Sequence, residues 1–343
     1  MPPERGQTGA WRRLVLGSQA PPAWLREAGP HSEVVLSTRV RAMRNLAGHR
    51  FPHHAGPDEL QEVASEIVGA LDGPLPSGRA FSIVARPTPA EREYLVACRL
   101  ASPDFAWFET GRALLVDGER ESSLMVNEED HIRLQALTPG WSIARARDAA
   151  GETLDRLSAS LRFAWSPRFG FLSSSPYNCG GGIRLSAMFH LIGLAHVRRL
   201  HAVLKALAGR GIVARGLFGE SSRGIGAFLQ VSVTQGPKED FSGAGAYLLD
   251  EEARARAEVS PDELSSKVRD GCKAIQGSLE LGLPDAMRLL AWIRWAASAE
   301  IPGFEFGARA VDNWFPSLVL LASNDEAKAG RLRAEFLREE LGL

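Results

Sequence analysis

A chain of 343 residues is long enough for a full core and for two domains, and 45% apolar with 24% charged residues is the balance of an ordinary globular protein. Lys plus Arg (40) nearly equals Asp plus Glu (41), a formal net charge of −1, so composition offers no electrostatic case for a nucleic-acid or membrane-surface partner. Three widely spaced cysteines, Cys98, Cys179 and Cys272, argue against a disulfide framework and fit a reducing, cytoplasmic setting.

Residues 1–30 carry Pro, Gly and Arg without the apolar run of a signal peptide, and read as a loosely ordered arm with a short helix around Trp24 to Glu27. No apolar run approaches the length of a membrane span. No CxxC pair or HExxH helix occurs, and His53, His54, His196 and His201 lack zinc spacings, which leaves them structural or surface roles. The apolar run Val34-Val35-Leu36 leads into Ser37-Thr38-Arg39-Val40-Arg41. Arg39 and Arg41 are two apart, so an extended backbone turns both guanidinium groups to one face. Such a pair suits a polyphosphate, because each fork donates two charge-assisted hydrogen bonds; the alternative is a solvated basic face.

Apolar spacing predicts a helix over 57–71, a strand over 80–85 and a helix over 92–100. Ala113 to Asp117 and Ser123 to Asn127 read as a hairpin around Gly118-Glu119. The second strand runs into Asn127-Glu128-Glu129-Asp130-His131-Ile132-Arg133, three consecutive acids that are either a solvated turn or a functional one. A helix is expected over 144–163. The stretch Ser173-Ser174-Ser175-Pro176-Tyr177-Asn178-Cys179-Gly180-Gly181-Gly182-Ile183-Arg184 then reads as a glycine-rich loop before a long helix from about Leu185 to Leu207. A helix N-terminus there would offer backbone N–H groups to an anion; a plain turn is the alternative, and no GK[ST] marks a phosphate loop of the Walker type.

Arg215-Gly216-Leu217-Phe218-Gly219-Glu220 follows a strand at 212–214 and precedes another at 227–234, the pattern of a flap that closes over a ligand or of an ordinary hairpin loop. From Asp250 the pattern is helical, four or five helices punctuated by Pro261, Pro284, Pro302 and Pro316, with a boundary expected near Gly245. The apolar segment Leu289 to Trp295 reads as core rather than interface.

STRVR, NEEDHIR, SPYNCGGGIR and RGLFGE stand in the order and approximate spacing found in the ATP:guanidino phosphotransferases, and the chain resembles that family over roughly 31–343. Within it, the short region before STRVR, the RGLFGE form of the flap and the helical end resemble the bacterial protein-arginine kinases rather than the kinases of small guanidines. The resemblance implies an α+β fold: an antiparallel sheet flanked by helices, followed by an all-helical C-terminal domain. It divides the chain into an arm over 1–30, a catalytic domain over 31–245 and a helical domain over 246–343 for dimerisation or substrate recognition.

It also implies the substrates, ATP with Mg²⁺ bridging its phosphates, and arginine residues of proteins. Arg39, Arg41, Arg133, Arg184 and Arg215 would hold the phosphates. The nucleotide site would comprise Ser37, Thr38, Arg39, Val40 and Arg41; Arg184, Leu185, Ser186, Ala187 and Met188; and Arg215, Gly216, Leu217, Phe218, Gly219 and Glu220. Glu129 would act as base and Glu220 as the second carboxylate gripping the acceptor guanidinium, with Glu128 and Asp130 in supporting or structural roles. Ser175 stands where the family carries a reactive Cys, with Cys179 expected to face elsewhere. Arg99 takes the place of a nucleotide-contacting His, and Arg223 the place of a Glu. The stretch Ala329 to Ala334 lacks two residues of the branch's phosphoarginine-binding motif, so that feedback is not expected.

Implied partners are arginine-bearing proteins, an activator protein, a Clp-type protease and a second copy of the chain, with neither nucleic acid nor membrane. The competing reading of the same residues is a catalytically weak or inactive relative that binds nucleotide or arginine and regulates.

Overall fold

The structure, a computed structural model, describes residues 21–105, 107, 109–216, 224–233, 238–304, 307–320 and 326–343. Eight strands hydrogen-bond in the order β2-β3-β4-β5-β1-β8-β10-β9. In sequence they are β1 (Val35–Arg44), β2 (Phe81–Ile83), β3 (Ala113–Asp117), β4 (Ser122–Val126), β5 (Ile132–Pro139), β8 (Ile183–His190), β9 (Ile212–Gly216) and β10 (Phe228–Val233), while β6 (Trp165–Ser166) and β7 (Gly170–Phe171) form a separate hairpin. The pairings β1 with β5, β2 with β3, β3 with β4, β4 with β5 and β9 with β10 are all antiparallel. The chain forms two compact units, one of residues 22–24 and 37–186, the other including 25–36 and 187–343.

In the first unit, α1 (Ala23–Arg26) begins at Ala23, whose amide bonds the Glu119 carbonyl, and the buried Trp24 indole donates to the Cys98 carbonyl at 3.2 Å. That end of the expected loose arm is therefore docked; residues 1–20 lie outside the described residues. Helices α2 (Pro57–Ala70), α3 (Pro89–Ala97) and α4 (Ile143–Ser158) follow. Thr88 and Glu91 close a reciprocal cap at the start of α3. On β1 and β5 the paired residues Thr38 and Thr138 share a face, and both bond Ser142 at the start of α4. That fixes α4 over the face opposite Arg39 and Arg41. The helix stops at Ser158, short of the expected Phe163, because 162–164 pair in extended form with Asn45, Leu46 and Ala47.

The expected helix from Leu185 to Leu207 is corrected: 183–190 is the strand β8, then α5 (Ile192–His196) and α6 (Leu200–Ala208). Residues 185–190 are all buried, so no polar face marks the two-residue period, and Leu, Ala and Met are good helix formers. The glycine-rich loop consequently opens a strand, and no helix dipole stands behind it. One of its glycines serves packing instead: Gly182 has φ +61, and a Cβ there would collide with Arg44 Nη1 and the Met43 carbonyl.

In the second unit, α7 (Lys238–Ala257), α8 (Pro261–Gly277), α9 (Leu283–Ser298), α10 (Ala308–Leu320) and α11 (Glu326–Leu341) account for the helical C-terminal region. The boundary expected near Gly245 falls inside α7, which runs through it unbroken. Leu290, Ala291, Ile293 and Trp295 are buried, as expected for a core segment. Arg294 is fully buried and donates to Asp312, to the Ser32 and Glu33 carbonyls and to His190. Arg333, in the stretch compared with the phosphoarginine motif, is also wholly internal: it pairs with Glu326 at 2.6 Å and donates to the Leu318 and Leu281 carbonyls.

Removing one member of a fully buried ion pair strands the other. Asp312→Ala, which strands Arg294 and also removes the partner of Arg309 at 3.2 Å, is expected to lower stability by about 3 kcal/mol in a urea titration; a variant as stable as the parent would contradict this assignment.

Candidate active site

Directly opposed residues of an antiparallel pair share a face, and side chains alternate along each strand. Arg39 lies opposite Leu137, Arg41 opposite Gln135 and Met43 opposite Arg133, so Arg39, Arg41 and Arg133 project from one face of the sheet. Arg39 Nε lies 3.4 Å from Ser186 Oγ on β8, and the two-residue period brings Arg184 and Met188 of that strand to the same face. Four expected phosphate-binding arginines thus share one surface. Thr38 and Val40 on β1, and Leu185 and Ala187 on β8, are buried on the opposite face. Arg215 stands on β9 opposite Gln230 in the other compact unit, with Gly216 closing that strand. Leu217, Phe218, Gly219, Glu220 and Arg223 lie outside the described residues.

The shared face is electrostatically strained. Burial first, then repulsion from Arg41, Arg99 and Arg133, drives the Arg39 guanidinium well below its ordinary pKa. Burial brings Arg99 down to about 10. Arg99, which the resemblance put in the place of a nucleotide-contacting His, is near enough for its charge to act on Arg39. Ser37, on the arginine face, has a buried hydroxyl with no partner among the described residues. Such a surface favours a multiply charged anion over any neutral ligand.

The acidic turn links β4 to β5, and its three carboxylates have different surroundings. Asn127 turns the chain with φ 53 and is held by its amide to the Leu60 and Gly111 carbonyls. Glu128 accepts Arg133 Nη1 on both oxygens at 2.7 Å and Ser102 Oγ at 2.8 Å, and its Oε2 receives the Glu129 amide at 3.0 Å. Burial opposes its ionisation, but the charge and hydrogen bonds of Arg133, with the hydrogen bonds from Ser102 and the Glu129 amide, together hold the carboxyl below the usual glutamate range. Asp130 is fully buried and accepts Asn45 Nδ2 at 2.6 Å, Ser173 Oγ at 2.6 Å and the Ser174 amide at 2.7 Å. The neighbouring His131 is neutral: burial lowers its pKa, Nδ1 accepts the Leu46 amide, and Nε2 donates to the Arg50 carbonyl.

Glu129 differs from both. Its side chain is exposed, and its carboxylate accepts no hydrogen bond from the described residues. Partial burial, then the charges of Asp130 and Glu128, raise its pKa, while Arg133 and Arg184 draw it partly back. Its backbone carbonyl accepts Ser174 Oγ at 2.8 Å, which joins the turn to the serine loop carrying Ser175. Cys179, expected to face elsewhere, folds back on that loop with Sγ 3.8 Å and 3.9 Å from the Ser173 and Ser175 carbonyls. Asn45 and Ser102, which secure Asp130 and Glu128, carry no motif signal and were not anticipated. Among the described residues no three His, Cys, Asp or Glu side chains form a metal cluster.

A family model described as ATP:guanido phosphotransferase, C-terminal catalytic domain, matches residues 63–239. The chain is 32% identical to the protein-arginine kinase of Pelotomaculum thermopropionicum over 300 residues, covering 81% of this chain and 82% of that one. It is 36% identical to the protein-arginine kinase of Bacillus pumilus over 258 residues, 71% of each. Among solved structures, lombricine kinase superposes with a TM-score of 0.58 at 21% identity, covering 72% of this chain and 74% of that one, a likeness of fold. With four motif arginines on one sheet face beside a free glutamate, and with similarity running through most of its length, the chain belongs to the ATP:guanido phosphotransferase family.

Proposed function

We propose that this chain is a protein-arginine kinase, transferring the γ-phosphate of ATP to the guanidinium of arginine residues in proteins. The observation that carries the reading is the Glu129 carboxylate, free of hydrogen-bond donors among the described residues and flanked by the Arg133 and Arg184 charges. The names and coverage of the similar proteins support the acceptor class.

Arg39, Arg41, Arg133 and Arg184 grip the triphosphate, with Arg215 as a fifth contact, and Ser37, Ser186 and Met188 line the same side. Charge that grows on the phosphoryl oxygens meets donors already in place, so little reorganisation is needed. Mg²⁺ bound with the nucleotide would add neutralising charge. A protonated guanidinium is a poor nucleophile, with its lone pairs delocalised and its pKa far above neutrality. Glu129 orients the planar fork and accepts the proton lost from the attacking nitrogen, while Glu220 supplies the second carboxylate. The nitrogen lone pair forms the N–P bond as the bond from γ-phosphorus to the bridging oxygen breaks, and ADP leaves with that electron pair. Ser175 borders the acceptor and, being un-ionised, adds no charge.

The helical region over 246–343 would serve dimerisation or recognition of arginine-bearing substrates, an activator protein and a Clp-type protease, within a cytoplasmic setting. The inactive-relative reading differs in one respect: it requires nucleotide binding without transfer.

Incubation with γ-labelled ATP and an unfolded arginine-containing protein is expected to give label that is lost in acid, as a P–N bond is. Glu129→Gln should reduce transfer by about 10²–10⁴-fold; absence of acid-labile label from the parent enzyme would sink the kinase reading. Because Glu129 works deprotonated and its pKa is raised, kcat/KM should fall on acidification at a pH above about 4.3, the value of an ordinary glutamate. An acid limb at or below that value would count against Glu129 as the base.

A further inference from the structure

Among the described residues of the first unit, the large exposed apolar side chains other than Ile83 on β2 lie on the β6–β7 hairpin or the loop that follows it. Trp165 is 57% exposed, Phe169 52% and Tyr177 67%, and Ile183 is exposed at the far end of the loop. The backbone ties them together. Trp165 lies opposite Phe171 in the hairpin, Phe171 exchanges hydrogen bonds with Gly180, and Gly180 lies midway between Tyr177 and Ile183. Gly182 is fixed in turn by its carbonyl, which accepts the Met43 amide at 2.9 Å. Arg168 lies over the Phe169 ring at 4.9 Å and holds it outward. Rings of this size left in water on a well-pinned surface mark an interaction site more often than a packing defect.

This surface is continuous with the acidic turn. Ser174, three residues before Tyr177, donates to the Glu129 carbonyl, and three residues of chain span at most about 10 Å. A polypeptide whose arginine reaches Glu129 must lay its neighbouring residues within reach of this loop. In extended form it advances about 7 Å for every two residues, so side chains two to four positions from the arginine meet the rings. Charge narrows the choice of neighbours. Residues 156–219 contain no Asp or Glu, and two exposed arginines flank the rings in sequence, Arg162 three residues before Trp165 and Arg168 next to Phe169.

We propose that Trp165, Phe169, Tyr177 and Ile183 form a docking platform for an extended segment of substrate polypeptide, one with aromatic or aliphatic residues near the acceptor arginine and no further basic residues beside it. The acceptor side chain goes to the acidic turn, and its neighbours pack on the rings while Arg162 and Arg168 repel additional cations. This deepens the protein-arginine kinase reading and rests on it for the identity of the acceptor.

The test is fluorescence anisotropy with the full chain and fluorescein-labelled peptides holding one arginine, flanked by Phe and Leu, by Gly, or by Lys. The Phe/Leu peptide should bind most tightly. Trp165→Ser with Tyr177→Ser should weaken it by about tenfold, as loss of interface anchors does, while ATP affinity stays unchanged and so reports an intact fold. Equal binding of the three peptides by the parent, or binding undiminished in the double variant, would overturn the platform. So would a concentration-dependent dimer that the double variant abolishes while peptide binding persists, since the rings would then seat a second copy. Tight, ring-dependent binding of a peptide that receives no phosphate would uphold the platform and contradict the kinase reading, which keeps the two failures apart.

Discussion

Mutual repulsion among guanidinium groups on one face of the sheet is the constraint from which the site follows. Arg39, Arg41, Arg99 and Arg133 are close enough for their charges to lower the pKa of Arg39. At about 4 Å and an effective dielectric near 20, a pair of like charges repels by about 4 kcal/mol. The strand register makes the crowding unavoidable, because Arg39 and Arg41 point the same way on β1 and Arg133 answers from β5. One carboxylate, Glu128, offsets part of it through Arg133. On the proposed reading, a bound polyphosphate would lower the repulsion further, because it brings charge of opposite sign to the same face.

The acidic turn answers a second requirement, a carboxylate that stays available among so many cations. Three consecutive acids are divided by their surroundings: Glu128 clamps Arg133, Asp130 anchors the serine loop and Asn45, and Glu129 remains between them with its oxygens open. The two tied neighbours also act on the free one. Their negative charges raise its pKa, and the Glu128 carboxylate and Ser174 hydroxyl fix its backbone from either side. A base that must remove a proton from a strongly basic group gains from both effects.

The two-residue spacing of Arg39 and Arg41 was legible because a strand's period is a property of the backbone alone. The hairpin leading to the acidic turn was legible for the same reason. The strand at 183–190 was not, since burial on both faces erases alternation and leaves a run of helix formers. Roles within the turn were hidden for a different reason: Asn45 and Asp130 are 85 residues apart, and Ser102 reaches Glu128 from a loop without a motif. Only the fold brings such partners together. Ordered motifs identified the family, whereas the division of labour among Glu128, Glu129 and Asp130 required hydrogen-bond geometry.

The claim on which this account turns is that the arginine face is a polyphosphate cradle, and calorimetric titration with ATP addresses it most directly. Replacing Arg39 by Gln removes a charge and its hydrogen bonds from the centre of that face without touching the acidic turn. The account predicts affinity lowered by at least about tenfold, with a marked weakening of the parent's binding as salt is raised. Unchanged affinity in Arg39→Gln, together with binding indifferent to ionic strength, would contradict it.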